Sequence, residues 1–155
     1  MRRLPLLLAT AMLVAAPAAI GQQVAHITAA GGYDEIRELL VVAIENQGLV
    51  VDHRSDVGEM LARTGKDLGQ TRQLYERAEV LQFCSANYSR QMMEATPELL
   101  AFCPFGIGIY TLPDESGKVH LVYRRMSTAG LAPAAAQALQ RIDSLLEEIL
   151  REAAQ

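Results

Sequence analysis

The two cysteines are the residues of this chain whose type and placement best suit chemistry. Cys84 follows Phe83, Cys103 follows Phe102, and the sequence contains no other cysteine. Two thiols can form a structural disulfide, act as a redox-active dithiol, or bind a soft metal ion or a haem iron. Which of these chemistries applies depends on the compartment and on the elements that hold each cysteine.

The N-terminus predicts an oxidising compartment. Arg2 and Arg3 are followed by an almost wholly apolar stretch over residues 4–16 and by small residues up to Gly21, which is the order found in a secretory signal peptide. The apolar stretch is shorter than the roughly 20 residues of a membrane-spanning helix. We therefore predict a signal peptide over residues 1–21 and a periplasmic protein that is not embedded in the membrane.

In that compartment the first expectation is a structural disulfide between Cys84 and Cys103. Small exported domains use such cross-links, and closing a loop of about 20 residues would stabilise the fold by about 3 kcal/mol. Two alternatives stay open. Cys84 is predicted to precede a helix, and a helix N-terminus lowers a thiol pKa and favours redox chemistry. A soft-metal site is the other alternative, because Met92, Met93 or Met126 could join the thiols around Cu(I).

Composition narrows the possible partners. The chain has 155 residues and a net charge of −4, and loss of Arg2 and Arg3 with the signal peptide makes the mature protein more acidic. An acidic protein does not favour nucleic acid, because binding phosphates requires a cationic face. The three histidines lack the spacing of a metal-binding helix, and no cofactor or catalytic motif occurs. We predict a domain that binds a small ligand or a protein and is not an enzyme.

Periodicity predicts an α+β fold in two layers, a mainly antiparallel sheet with helices packed on one face. The helices are predicted over residues 33–47, 57–61, 86–95 and 133–153, and the strands over residues 24–28, 49–53, 78–83, 105–112 and 119–124. Residues 64–69 are predicted as a loop. The last two strands and the polar turn between them form a hairpin.

The C-terminal helix carries an apolar stripe, which can serve either as a lid on the sheet or as a dimer interface. Its members recur at helical spacing: Ala135, Leu139, Ile142, Leu146 and Ile149. We expect residues 22–130 to form the domain and residues 131–155 to pack against it as this helix.

The segments around the two cysteines, residues 78–86 and 101–105, resemble the exported branch of the family called domain of unknown function 302. The resemblance runs from about Tyr33 to Arg125. It implies a small α+β domain with helices on one side of the sheet, often a dimer, and no established reaction or cofactor. Ser85-Ala86 stand where many relatives have Asn-Pro, and the second cysteine precedes Pro104 instead of following a proline.

A candidate binding cleft follows from these placements. Tyr123 and Arg124 end the last predicted strand, and Arg125 follows them. The pair Arg124-Arg125 can bind a carboxylate or phosphate through two hydrogen bonds. We therefore expect a cleft near Cys84, Cys103, Tyr123 and Arg124.

Overall fold

The computed structural model describes residues 23–155, so the predicted signal peptide lies outside the described residues. This part of the chain forms five strands and four helices, with a short 3-10 helix at Pro97–Phe102. The strands are β1 (Val24–Ala30), β2 (Val51–Asp56), β3 (Arg77–Phe83), β4 (Phe105–Thr111) and β5 (Lys118–Arg124). The helices are α1 (Tyr33–Asn46), α2 (Val57–Asp67), α3 (Ala86–Ala95) and α4 (Pro133–Ala153). Their order along the chain is β1-α1-β2-α2-β3-α3-β4-β5-α4, with the 3-10 helix between α3 and β4.

The strands form one antiparallel sheet in the order β1-β5-β4-β3-β2. β4 and β5 are the predicted hairpin, and Gly108 lies opposite Val122 in their register. A side chain on Gly108 would come within 3.0 Å of the Val122 side chain, so glycine permits the close approach of the two strands there. The predicted α+β class is confirmed.

Helices α1, α3 and α4 cover one face of this sheet. The covered face carries the apolar half of each alternating strand, including Leu81, Ile107 and Leu121, which are fully buried. The apolar stripe of α4 faces the same core, and all five of its predicted members are buried. The C-terminal helix therefore packs as a lid, in contact with α1, α3 and the sheet.

Helix α2 departs from the prediction. It continues to Asp67, so the loop predicted over residues 64–69 is wrong over residues 64–67. Gly65 does not end the helix but lets it approach the following segment, since a Cβ on Gly65 would lie 2.9 Å from the backbone oxygen of Gln70. The helix ends before Gly69, which has a φ of +68° that favours glycine.

Helix α2 also differs from the other helices in its packing. It follows β2 directly and contacts β3, but none of its side chains is buried. Among the described residues, no helix is long and apolar enough to cross a membrane.

Candidate functional site

The antiparallel register brings the two cysteines to one end of the sheet. Phe83 at the end of β3 pairs with Phe105 at the start of β4. Cys84 directly follows Phe83, and Cys103 lies two residues before Phe105. Both thiols therefore lie beside the first turn of α3.

The predicted disulfide is not formed, which corrects that expectation. Cys84 and Cys103 are both free, and they are not at disulfide distance. The reason lies in helix α3, because the sulfur of Cys103 lies 3.1 Å from the hydroxyl oxygen of Ser89 and hydrogen-bonds with it. The thiol of Cys84 is instead exposed at the end of its strand.

The surroundings of Cys84 favour its neutral form. Partial burial raises the pKa of the Cys84 thiol, and the neighbouring Cys103 thiol and Asp52 raise it further. The N-terminal capping position of α3 is taken by Ser85, whose hydroxyl accepts a hydrogen bond of 3.4 Å from the backbone N–H of Tyr88. The helix therefore does not activate Cys84, although its sequence position suggested that it would.

The two predicted ligand-binding residues of β5 lie in different surroundings. Tyr123 is 2% exposed in the core, and its hydroxyl donates a hydrogen bond of 3.1 Å to the backbone oxygen of Asp143 in α4. Arg124 is exposed, and its guanidinium lies 5.8 Å from the centre of the Phe102 ring, next to Cys103 in the chain. Arg124 thus lies beside Phe102, the residue before Cys103, while Tyr123 secures α4 to the sheet.

The structure contains a concave site that the sequence did not predict. Helix α2, the segment 68–76 and the start of β3 enclose a cavity of about 880 Å³, here called the α2 cavity. Its apolar wall includes Leu61, Leu68 and Leu74, and the last two are 71% and 49% exposed. Apolar side chains left accessible around a cavity are typical of a binding site.

The polar wall of the α2 cavity is a hydrogen-bonded group. The hydroxyl of Tyr33, at the start of α1, donates a hydrogen bond of 3.0 Å to Glu79 in β3. Burial raises the pKa of the Tyr33 phenol, and the Glu79 carboxylate raises it further. The phenol therefore stays protonated and acts as a donor, not as a base.

Arg77 completes this polar wall from the same strand as Glu79. Its guanidinium lies 3.9 Å from the centre of the Tyr33 ring and forms an ion pair of 2.7 Å with Asp34. A guanidinium over an aromatic face is a favourable cation–π contact. The cavity thus places a cation, a carboxylate and a phenol beside an apolar wall.

Comparison with known proteins identifies the family. The family described as "Domain of unknown function DUF302" matches residues 25–149. The chain belongs to the DUF302 family. The match in this DUF302 protein extends through most of α4, so it includes the helix that lay outside the resemblance seen in the sequence.

A solved structure agrees with this fold. The crystal structure of an uncharacterized conserved DUF302 protein from Bacillus stearothermophilus is similar at a TM-score of 0.69 and 17% sequence identity. The similarity covers 84% of this DUF302 chain and 97% of the other chain. At this identity the likeness concerns the fold alone. No curated protein matches the chain.

Proposed function

We propose that this DUF302 protein is a periplasmic, non-enzymatic domain that binds a small organic ligand in the α2 cavity. Export rests on the order of basic, apolar and small residues over residues 1–21. Dimerisation and a protein partner stay predictions.

The α2 cavity carries this proposal. Its volume of about 880 Å³ lies within the range of roughly 300–1,000 Å³ that small-molecule sites occupy. Leu61, Leu68 and Leu74 offer a surface for an apolar body. Tyr33 and Arg77 add polar groups that their bonds to Glu79 and Asp34 hold in place. The ligand class that fits is an apolar molecule with one polar or anionic end.

A thiol function is the weaker hypothesis. Redox exchange and soft-metal binding both use the thiolate, and the pKa of Cys84 is raised by burial and by Cys103. Cys84 nevertheless remains exposed, so its reactivity can be measured directly.

The ligand proposal can be tested with the fluorescent probe anilinonaphthalene sulfonate, an apolar molecule with one anionic end. The mature protein should bind it saturably, and Leu74→Asp should weaken binding by about tenfold, which corresponds to about 1.4 kcal/mol. Leu100→Asp is the matched control, because Leu100 is an exposed leucine of the 3-10 helix.

Circular dichroism must show that both variants remain folded. Equal affinity in the wild-type and Leu74→Asp proteins would overturn the proposal, as would an equal loss in both leucine variants.

A further inference from the structure

The second face of the sheet, which α1, α3 and α4 leave uncovered, carries all three histidines. Strand register places His26 in β1, His120 in β5 and His53 in β2 on this side. His26 and His120 lie on neighbouring strands and are separated by 94 residues in the sequence, so no local motif reveals their proximity. His53 lies on the opposite edge strand and is exposed.

Three donor atoms converge between β1 and β5. The Nε2 atom of His26 lies 2.9 Å from the Nδ1 atom of His120. The hydroxyl oxygen of Thr28 lies 3.4 Å from His26 Nε2 and 3.3 Å from His120 Nδ1. Because Thr28 pairs directly with His120 and His26 lies two residues earlier in β1, the backbone of the sheet keeps these three side chains together.

The dimensions of this triangle suit a metal ion. Zn²⁺ binds histidine nitrogen at about 2.0–2.1 Å in tetrahedral geometry, which places two ligands of one ion about 3.3 Å apart. The separations of the Thr28 hydroxyl from the two nitrogens match this spacing. The two nitrogens lie 2.9 Å apart, at a hydrogen-bond distance, and the exposed His26 ring must shift slightly for both to reach one ion. Among the described residues, no group of three or more His, Cys, Asp or Glu side chains could hold a metal; here the third donor is a hydroxyl.

The other nitrogen of His120 faces a carboxylate. His120 is 6% exposed, and its ring stacks on Tyr110 with centroids 4.7 Å apart. Its buried Nε2 atom has no hydrogen-bond partner among the described residues, and the nearest acid, Glu115, lies 3.6 Å away. Histidines that bind metals commonly direct their second nitrogen toward a carboxylate, which fixes the ring and its tautomer.

We propose that His26 Nε2, His120 Nδ1 and the Thr28 hydroxyl bind a divalent transition-metal ion of the Zn²⁺ type, with Glu115 as the positioning residue behind His120. Without metal, the Nε2–H group of His26 donates a hydrogen bond to the Nδ1 atom of His120. On metal binding His26 changes tautomer, its proton passing through solvent from Nε2 to Nδ1, so that both rings stay neutral and each presents one lone pair to the ion. This site is separate from ligand binding in the α2 cavity.

The test is calorimetric titration of Zn²⁺ into the mature protein, purified without a polyhistidine tag. Cys84→Ser and Cys103→Ser are introduced together so that no thiol can bind the ion. We expect one ion per chain, and a loss of affinity of about 100-fold in His26→Ala. Glu115→Gln should weaken binding by roughly 10-fold, as second-shell changes do.

His53→Ala is the matched control, since it removes an exposed histidine from the same face at the far edge, and it should bind Zn²⁺ as the parent does. Co²⁺ absorption gives a second readout, because its visible bands intensify when the ion becomes tetrahedral. The proposal is overturned by no binding in the thiol-free protein at millimolar Zn²⁺, or by equal affinity of His26→Ala and His53→Ala.

Discussion

The hydroxyl of Tyr33 and the carboxylate of Glu79 link the first turn of α1 to strand β3 through a hydrogen bond of 3.0 Å. Tyr33 is 7% exposed, so the bond is largely shielded from water. This hydrogen bond connects α1, which packs on the covered face, to the polar wall of the α2 cavity. It therefore contributes both to the stability of the fold and to the structure of the candidate site.

Breaking this bond should destabilise the protein. Tyr33→Phe leaves a partly buried carboxylate without its donor, and hydrogen bonds to charged groups contribute about 1.5–3 kcal/mol. Urea unfolding of Tyr33→Phe, Glu79→Gln and the double variant should give a coupling free energy of at least about 1 kcal/mol. Additive effects of the two changes would show that the pair does not interact in solution.

The lid role of α4 predicts a large cost for truncating its buried side chains. Leu146 is 1% exposed, and removing a buried leucine side chain costs about 2–5 kcal/mol. Leu146→Ala should lower the free energy of unfolding by that amount, while Leu100→Ala, at a site 61% exposed, should change it by less than about 0.5 kcal/mol. Similar small effects in both variants would mean that α4 does not pack on the sheet.

The free thiols should differ in reactivity. Iodoacetamide should modify the exposed Cys84 before the half-buried Cys103. Because burial and Cys103 raise the pKa of Cys84, its alkylation should be slower than that of an unstructured cysteine at neutral pH and should keep rising above the ordinary thiol pKa. Mass spectrometry over a pH series measures this.

The urea-unfolded protein is the control for the thiol experiment, since both cysteines should then react alike. A rate at neutral pH faster than the unfolded control would indicate a lowered pKa and would favour a redox role. If neither thiol of the unfolded protein reacts before reduction and both react after it, the two cysteines form the disulfide after all.

Acid should weaken the contacts of α4 around Glu147. Hydrogen bonding to Arg151 lowers the pKa of Glu147, and Arg125 lowers it further. Because the folded pKa lies below the ordinary value of 4.5, this contribution is fully present above pH 4.5 and is lost as pH falls through the folded pKa. Glu147→Gln should therefore cost stability at neutral pH, by less than about 1 kcal/mol, and the difference should vanish in acid.

Thermal unfolding of both proteins across acidic to neutral pH checks the Glu147 prediction. Glu148→Gln is the control, because Glu148 is exposed on the same helix. A constant difference between the wild-type and Glu147→Gln proteins at every pH would contradict the proposed ionic origin.

Local residue patterns determined much of the fold. Helices α3 and α4 occur at the residues predicted, because Ser85 and Pro133 favour helix starts and Pro97 ends the helical run before it. The alternation in β4 and β5 likewise defined which side chains face the core. These features depend on neighbours in the chain, so periodicity and capping suffice to find them.

The prediction for α2 was less accurate because glycine disfavours a helix, and the sequence alone therefore marks both Gly65 and Gly69 as possible helix ends. Only the first is compatible with the helix, where it permits close approach to Gln70, whereas the second takes a positive φ. Local sequence cannot distinguish a glycine required by packing from one required by backbone conformation.

The sequence by itself determined the α+β class and most element boundaries. The tertiary structure decided that the Cys103 thiol bonds to Ser89, that α2 encloses a cavity, and that His26 meets His120. The physical reason is that side-chain direction and long-range strand pairing depend on how separate elements pack, and residues 94 positions apart meet only after β1 joins the sheet beside β5.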